Sequence, residues 1–505
     1  MNRFISCAFI SGFVLASIGS IAAEPDSSFD GPGFESFIPP DVIDFSTVAE
    51  LQSRMSDGSV TSMQLVQRAL ARIGAIDRNG PALNAVVEIN PDALAIANDL
   101  DAERAEGRLR GPLHGVPVLV KDNIDTGDSM QTSSGSLALV GRPALQDAFV
   151  VQRLRQAGAI VLGKANASEL AGFRDWGIPS GWSGRGGQVG NPWGTELPVC
   201  GSSAGSAAGL AAGYAPLAVG TETNGSIICP AYYNQVVGLR PTLGLLSQAG
   251  IVPLSSWQDT PGPMGRTVSD VALLLGAMQG NDERRADTPP APGGVKDYHG
   301  KLNASSLLGK RLGYPLYRGD GSLTIDHPHF KILAGRLERA GATLLPVDMK
   351  IPPLFAEQMT VLNYGIKRDL AAYLQGRPGI EVRNLADLIA FNRNYPGEEG
   401  YGQQLLEDAQ ALDIGESAYW ETANKLRDES RKVLDVAHHV HQLDAVIDLS
   451  GGQLQGVGAQ AGYPGLQVSA GQDAARQPVG LYFLGLPWSE EVLLSMGFAF
   501  EQSAN

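Results

Sequence analysis

Cysteine is almost absent from the chain: three residues in 505 cannot make a disulfide framework or a Cys-rich metal site. Histidine is scarce too, at seven, and no H-E-x-x-H pair occurs, so the common zinc-hydrolase pattern is missing and no metal or cofactor is expected. Basic charge is in the minority, with 38 Lys plus Arg against 53 Asp plus Glu, a net charge of −15. That sign repels phosphate backbones and anionic lipid, which removes nucleic acid and membrane surfaces from the expected partners. No internal repeat, heptad array or low-complexity tract is visible, which excludes solenoids and coiled coils. What is present is 43% hydrophobic residues, enough for a large core. The 62 glycines stand well above an average of about 7%, which implies many tight turns or close backbone approaches. A globular enzyme fits this balance.

Long apolar runs are missing except at the start. Arg3 is the one charge before Glu24, an apolar stretch passes through Phe9, Phe13, Val14, Leu15 and Ile18, and small residues follow at Ser20-Ile21-Ala22-Ala23. This order describes a secretory signal peptide over residues 1–23, with an uncleaved anchor as the competing reading. The mature chain, 24–505, is then expected outside the cytoplasm, secreted or periplasmic, with no membrane attachment after cleavage. Cys7 leaves with the leader. Cys200 and Cys229 remain; an oxidising compartment allows them to pair, although two buried thiols is the preferred reading.

Thr61 with Gln64 reads as a capping box ahead of Val66, Leu70 and Ile73 at helical spacing. Asn90-Pro91-Asp92 reads as a cap with Pro at the first helical position. Apolar runs at Val116–Val120, Ala159–Leu162 and Leu217–Val219 then alternate with helices through Val151 and Leu154 and through Ser206–Ala212. After the Pro/Gly-rich Thr288–Gly294, read as a surface loop, come a helix through Phe330, Leu333 and Leu337 and a strand at Thr343–Val347. A helical region at about 355–440 and short strands at Ala445–Leu449, Leu466–Ser469 and Val479–Leu484 follow. Alternating strands and helices predict a single large α/β domain, its central sheet mixed but mostly parallel, with helices on both faces.

Three chemical readings compete for the glycine- and serine-rich segments. Gly201-Ser202-Ser203-Ala204-Gly205 satisfies G-x-S-x-G with Ser203 as the nucleophile of an α/β-hydrolase esterase. That site needs a later histidine, and His299, His327, His329, His438, His439 and His441 lie in no catalytic context. Gly158–Lys164 matches a phosphate loop, but Ala165 stands where a metal-binding hydroxyl is required. The third reading needs no histidine. Lys121 ends the apolar run Val116–Val120, so burial would strip its ammonium of water and favour the neutral amine. Two separate turns, around Ser202 and around Ser226, then supply a relay and an attacking hydroxyl, with nearby backbone N–H groups for an oxyanion. Asp122 and Asn123 read as hydrogen-bonded support, Lys164 as a bridge between polar groups, and Ser203 and Ser206 as capping or packing residues.

The combined pattern resembles the amidase signature family. It includes Gly115–Asp122, Cys200–Ser206, Gly220–Ser226, Gly238-Leu239-Arg240-Pro241-Thr242, Asp259-Thr260-Pro261-Gly262-Pro263 and Ala461-Gly462-Tyr463-Pro464. The resemblance implies the amidase signature fold and a Ser-cisSer-Lys triad, with Ser226 as nucleophile, Ser202 as bridging serine and Lys121 as base. The N–H groups of Thr223, Asn224, Gly225 and Ser226 would form the oxyanion hole. Within the family it is nearest to bacterial peptide amidases, through Gly111–Gly115, Ser180–Ser183, Arg185–Gln188 and Gly220–Thr223. This implies a hydrolase of linear amide C–N bonds (EC 3.5.1 type) that releases ammonia from C-terminal amides of peptides or related small amides. Asn224, Ile228 and the short stretch Ser450–Val457 depart from the family pattern. Besides the esterase, the alternatives are an amidase-like binding protein without turnover and an amidotransferase subunit, the latter opposed by the leader.

Overall fold

Thr61 and Gln64 open the helix Ser62–Arg72 reciprocally: the Gln64 N–H donates to Thr61 Oγ1 at 3.2 Å and the Thr61 N–H to Gln64 Oε1 at 3.0 Å. Asn90-Pro91-Asp92 behaves differently from expectation. Asn90 Oδ1 accepts the Asp92 N–H at 3.0 Å, so Pro91 sits in a turn and the helix starts only at Ala93. The computed structural model describes residues 41–285, 292, 294–395, 400–450 and 452–503. The leader and most of the Thr288–Gly294 loop lie outside the described residues.

The strands in chain order are β1 (Val86–Ile89), β2 (Pro117–Lys121), β3 (Ile160–Ala165), β4 (Trp182–Ser183), β5 (Gly187–Gln188), β6 (Leu217–Glu222), β7 (Val237–Arg240), β8 (Thr260–Gly265), β9 (Arg311–Pro315), β10 (Thr343–Val347), β11 (Ala445–Leu449), β12 (Gly465–Gln472) and β13 (Pro478–Leu484). β4 and β5 pair with each other, and the other eleven form one sheet in the order β1-β3-β2-β6-β8-β7-β12-β13-β11-β9-β10. The expectation of a mostly parallel sheet is wrong. Only β3/β2, β2/β6, β11/β9 and β9/β10 are parallel, whereas six pairs are antiparallel, including every pair from β6 to β11 through the centre.

The error has two physical sources. A helix between two strands allows parallel pairing only if the strands are neighbours, and here β8 stands between β6 and β7 and β13 between β11 and β12. The other source is β8, which carries Pro261 and Pro263 and reads as loop. The two prolines share parity, so their missing donors fall on one edge. β6 pairs with all six residues of β8, while β7 pairs only with Met264 and Gly265.

Both faces of the sheet are buried. Val118, Val120, Leu217 and Val219 point into one core, and Leu119 and Ala218 into the other, where Ala204, Ala207 and Ala208 of the helix Ala204–Ala211 pack. Each Val or Leu so buried contributes roughly 1.5–3 kcal/mol. That helix is built of small residues because it lies against the sheet. A Cβ on Gly205 would stand 2.2 Å from the Ala85 carbonyl oxygen, and one on Gly209 2.6 Å from Leu119 Cδ1. Lys121 shares its face of β2 with Leu119, so alternation aims its side chain toward the start of this helix. The helical region 355–440 resolves into Phe355–Gln375, Leu385–Asn394, Gln404–Ala411 and Glu416–His441, the first three of which share an apolar cluster with Val252 and Leu254.

Candidate active site

Lys121 is 1% exposed at the end of a strand whose five residues are all buried. Its Nζ lies 2.6 Å from Ser202 Oγ, 3.0 Å from Thr221 Oγ1 and 3.2 Å from the Thr221 carbonyl oxygen. Loss of hydration pushes the amine down from 10.5 to about 7, against the opposing pull of Asp259 and Glu222. An amine poised there can take and return a proton near neutral pH. The Gly201–Ser202 peptide bond is cis.

Ser226 lies on the turn between β6 and the helix Ile228–Tyr233 and is 6% exposed. The Ser203 N–H donates to the Ser226 carbonyl at 3.1 Å, which pins this turn to the residue after Ser202. Among the described residues the Ser226 hydroxyl makes no hydrogen bond. The structure therefore brings Lys121 and Ser202 into direct contact and ties Ser226 to them through backbone. No acceptor among the described residues takes the N–H groups of Thr223, Asn224, Gly225 or Ser226. The next two N–H groups, of Ile227 and Ile228, are engaged by Glu222 Oε2 at 2.8 and 3.0 Å. Four consecutive donors left open before two satisfied ones is a constellation that can hold an oxyanion.

The bland readings of the neighbouring polar residues fit the contacts. Ser203 is fully buried, its hydroxyl donating to the Thr221 carbonyl at 3.1 Å and accepting from the Thr221 N–H at 3.2 Å. It is not the exposed serine that an α/β-hydrolase elbow requires. Ser206 donates to the Val219 carbonyl. Lys164 Nζ bridges the Ile124 carbonyl at 2.5 Å and Thr132 Oγ1 at 3.0 Å. Asp122 accepts from Ser133 Oγ, the Gly135 N–H and Arg185, and Asn123 Nδ2 donates to Thr221 Oγ1 at 3.0 Å.

Two residues were given no role by sequence reasoning although both lay inside quoted motifs. Thr221 supplies a second hydroxyl to Lys121. Asp259 is buried, with Thr223 Oγ1 donating to its Oδ1 at 2.5 Å and the Leu254 and Ser255 N–H groups to its Oδ2 at 2.8 and 2.9 Å. A hydroxyl two residues before the oxyanion turn was the one available signal for Thr221; nothing local pointed to Asp259. A cavity of about 490 Å³ opens beside these groups, walled by Asn123, Thr221, Thr223, Val252, Leu254 and Tyr373.

Cys200 and Cys229 form a disulfide, not the two thiols expected. The bond ties the residue two before Ser202 to the residue three after Ser226, so both serine turns hang from one clamp. Nothing in the spacing of 29 residues announces that proximity. Replacing both cysteines by alanine should lower stability by about 3–4 kcal/mol through restored loop entropy in the unfolded chain. Urea unfolding of both proteins under non-reducing conditions measures this, and a loss below about 1 kcal/mol would show that the clamp is dispensable.

Residues 64–448 match the model of the amidase family. The chain is similar to a native peptide amidase from Stenotrophomonas maltophilia, with 44% identity and a TM-score of 0.86 over 90% of this chain and 96% of that one. It is similar to an amidase family protein from Bacillus anthracis, with 38% identity and a TM-score of 0.87 over 92% of each chain. A probable amidase of Arabidopsis thaliana is 40% identical over 472 residues, 91% of this chain and 90% of the relative.

Proposed function

Because the chain belongs to the amidase family and is a hydrolase of carboxamide bonds, we propose that Ser226, Ser202 and Lys121 carry out this hydrolysis as nucleophile, bridge and base. The observation that carries the assignment is the dehydrated Lys121 amine, 2.6 Å from Ser202 Oγ and beside a turn with four open N–H donors. Ser226 Oγ attacks the amide carbonyl, its proton passes to Ser202, and the Ser202 proton passes to neutral Lys121. The N–H groups of Thr223, Asn224, Gly225 and Ser226 hold the negative oxygen of the tetrahedral adduct. Lys121 returns the proton through Ser202 to the leaving nitrogen, the C–N bond breaks, and ammonia or an amine departs. Water then attacks the acyl-enzyme, giving one proton to the relay and freeing the carboxylic acid and Ser226.

Peptide C-terminal amides are the proposed substrates, supported by the similarity to a peptide amidase and by a cavity large enough for a side chain beside Thr221. We place the mature protein outside the cytoplasm; the Cys200–Cys229 disulfide supports an oxidising compartment. Among the described residues no helix is long and apolar enough to cross a membrane.

A fluorophosphonate probe tests the nucleophile. Peptide mapping should locate the adduct on Ser226, and Ser226→Ala should abolish both labelling and ammonia release from peptide amides. Labelling of Ser203 would overturn the assignment and restore the esterase reading. Ammonia release from fatty or aryl amides but from no peptide amide would overturn the substrate alone.

A further inference from the structure

Asp259 stands between the two halves of the site. It precedes β8, and its two carboxylate oxygens serve different structures. Oδ1 accepts the hydroxyl of Thr223, the first residue of the open N–H turn, while Oδ2 accepts the N–H groups of Leu254, in the cavity wall, and of Ser255 next to it. Its own carbonyl accepts from Gln248 Nε2, on the same wall. One carboxylate thus fixes how far the oxyanion turn stands from the surface that would receive the acyl group.

We infer that Asp259 is a positioning residue for amide hydrolysis, a strut that locks the Thr223–Ser226 donors to the cavity wall. The inference rests on the roles given above to Lys121 and to the Thr223–Ser226 turn.

The ionised carboxylate accepts all three bonds with no proton of its own to compete for a lone pair. Burial raises its carboxyl to about 6, with the nearby Asp369 of the helix Phe355–Gln375 pushing the same way. Asp369 is itself held by Arg368 and the Ser256 N–H. The charges bearing on Lys121 are Asp259 and Glu222, and Glu222 faces Arg240 across 3.8 Å. The Asp259 charge favours the protonated amine, so removing it lowers the pH at which Lys121 loses its proton.

Two variants separate this role from simple packing. Asp259→Asn removes the charge and weakens the contacts to the wall. It should lower kcat by roughly 100-fold, as expected for a displaced donor set, raise KM, and move the acid limb of the kcat profile to lower pH. Thr223→Val cuts the bond to the turn but keeps the charge. It should lower kcat with KM nearly unchanged and move the acid limb less than Asp259→Asn does. Thr223→Val with wild-type kcat would overturn the strut even if Asp259→Asn failed to fold. Lys121→Met measured alongside distinguishes the premises. If it stays active, the base assignment has failed and the inference with it. If it is inactive while both strut variants behave as wild type, only the inference has failed.

Discussion

Lys121→Met loses amide turnover by roughly 10³–10⁴-fold, the contribution expected of a general base, while the chain keeps its fold. Methionine preserves the straight, unbranched shape in the buried slot under Ser202, and Thr221 Oγ1 retains its bond from Asn123. What disappears is the group proposed to remove the proton from the serine pair. Substrate affinity is unaffected by that loss, so the change falls on kcat rather than KM. The wild-type profile carries a second signature. With the amine lowered to about 7, the active neutral form is half populated near that pH, and kcat rises as pH climbs through it.

The stability of the wild-type chain has a related sign. The unfolded lysine holds its proton up to about 10.5, whereas the native one releases it near 7, so between these values the unfolded state binds more protons and stability rises with pH. The Met variant lacks this rise, so wild type gains stability relative to it as pH climbs through that window. Initial rates of ammonia release, with unfolding measured at pH 6 and pH 9, check both statements. Near-normal kcat in a folded Lys121→Met would remove the base from the mechanism.

The sequence carries the outer parts of this fold more clearly than its centre. The strands Thr343–Val347 and Ala445–Leu449 appear with the expected bounds because each is a compact apolar run after a helix stop. β8 is invisible, since two prolines and two glycines in six residues read as loop, and only pairing along its full length with β6 makes it a strand. Direction fails for the same reason: whether neighbours run parallel depends on which strands sit between them, a property of tertiary order. At the site, Lys121 was legible because an amine at the end of an apolar run is an unusual expense, and the two serine turns because glycines mark them. Thr221 and Asp259 were not legible in this way. Their partners, Lys121 and Thr223, belong to other segments, so their roles exist only once the chain has folded.

Arg240→Leu is expected to damage stability and catalysis together. Arg240 is completely buried at the end of β7 and donates to the carbonyls of Glu222 at 2.7 Å and Gln258 at 2.8 Å, with longer bonds to Thr223 and Ala459. It also lies 3.8 Å from the carboxylate of Glu222, whose other oxygen carries the Ile227 and Ile228 N–H groups. Leucine fills part of the volume but leaves a buried carboxylate without its counter-charge and several carbonyls without a donor, which costs about 3–5 kcal/mol. Two of the carbonyls, those of Glu222 and Thr223, lie at the start of the turn with the open N–H groups, so their relaxation moves these donors, and kcat should fall by roughly 100-fold or more. Adding Glu222→Gln to this variant removes the stranded charge while keeping an acceptor for Ile227 and Ile228, so the double variant should recover part of the lost stability but not the activity. Urea unfolding of Arg240→Leu, Glu222→Gln and the double variant, paired with kcat on one peptide amide, reads this coupling. Strictly additive stability losses would show that Arg240 acts on the carbonyls alone, and an Arg240→Leu enzyme of normal stability and rate would show that the turn holds its donors unaided.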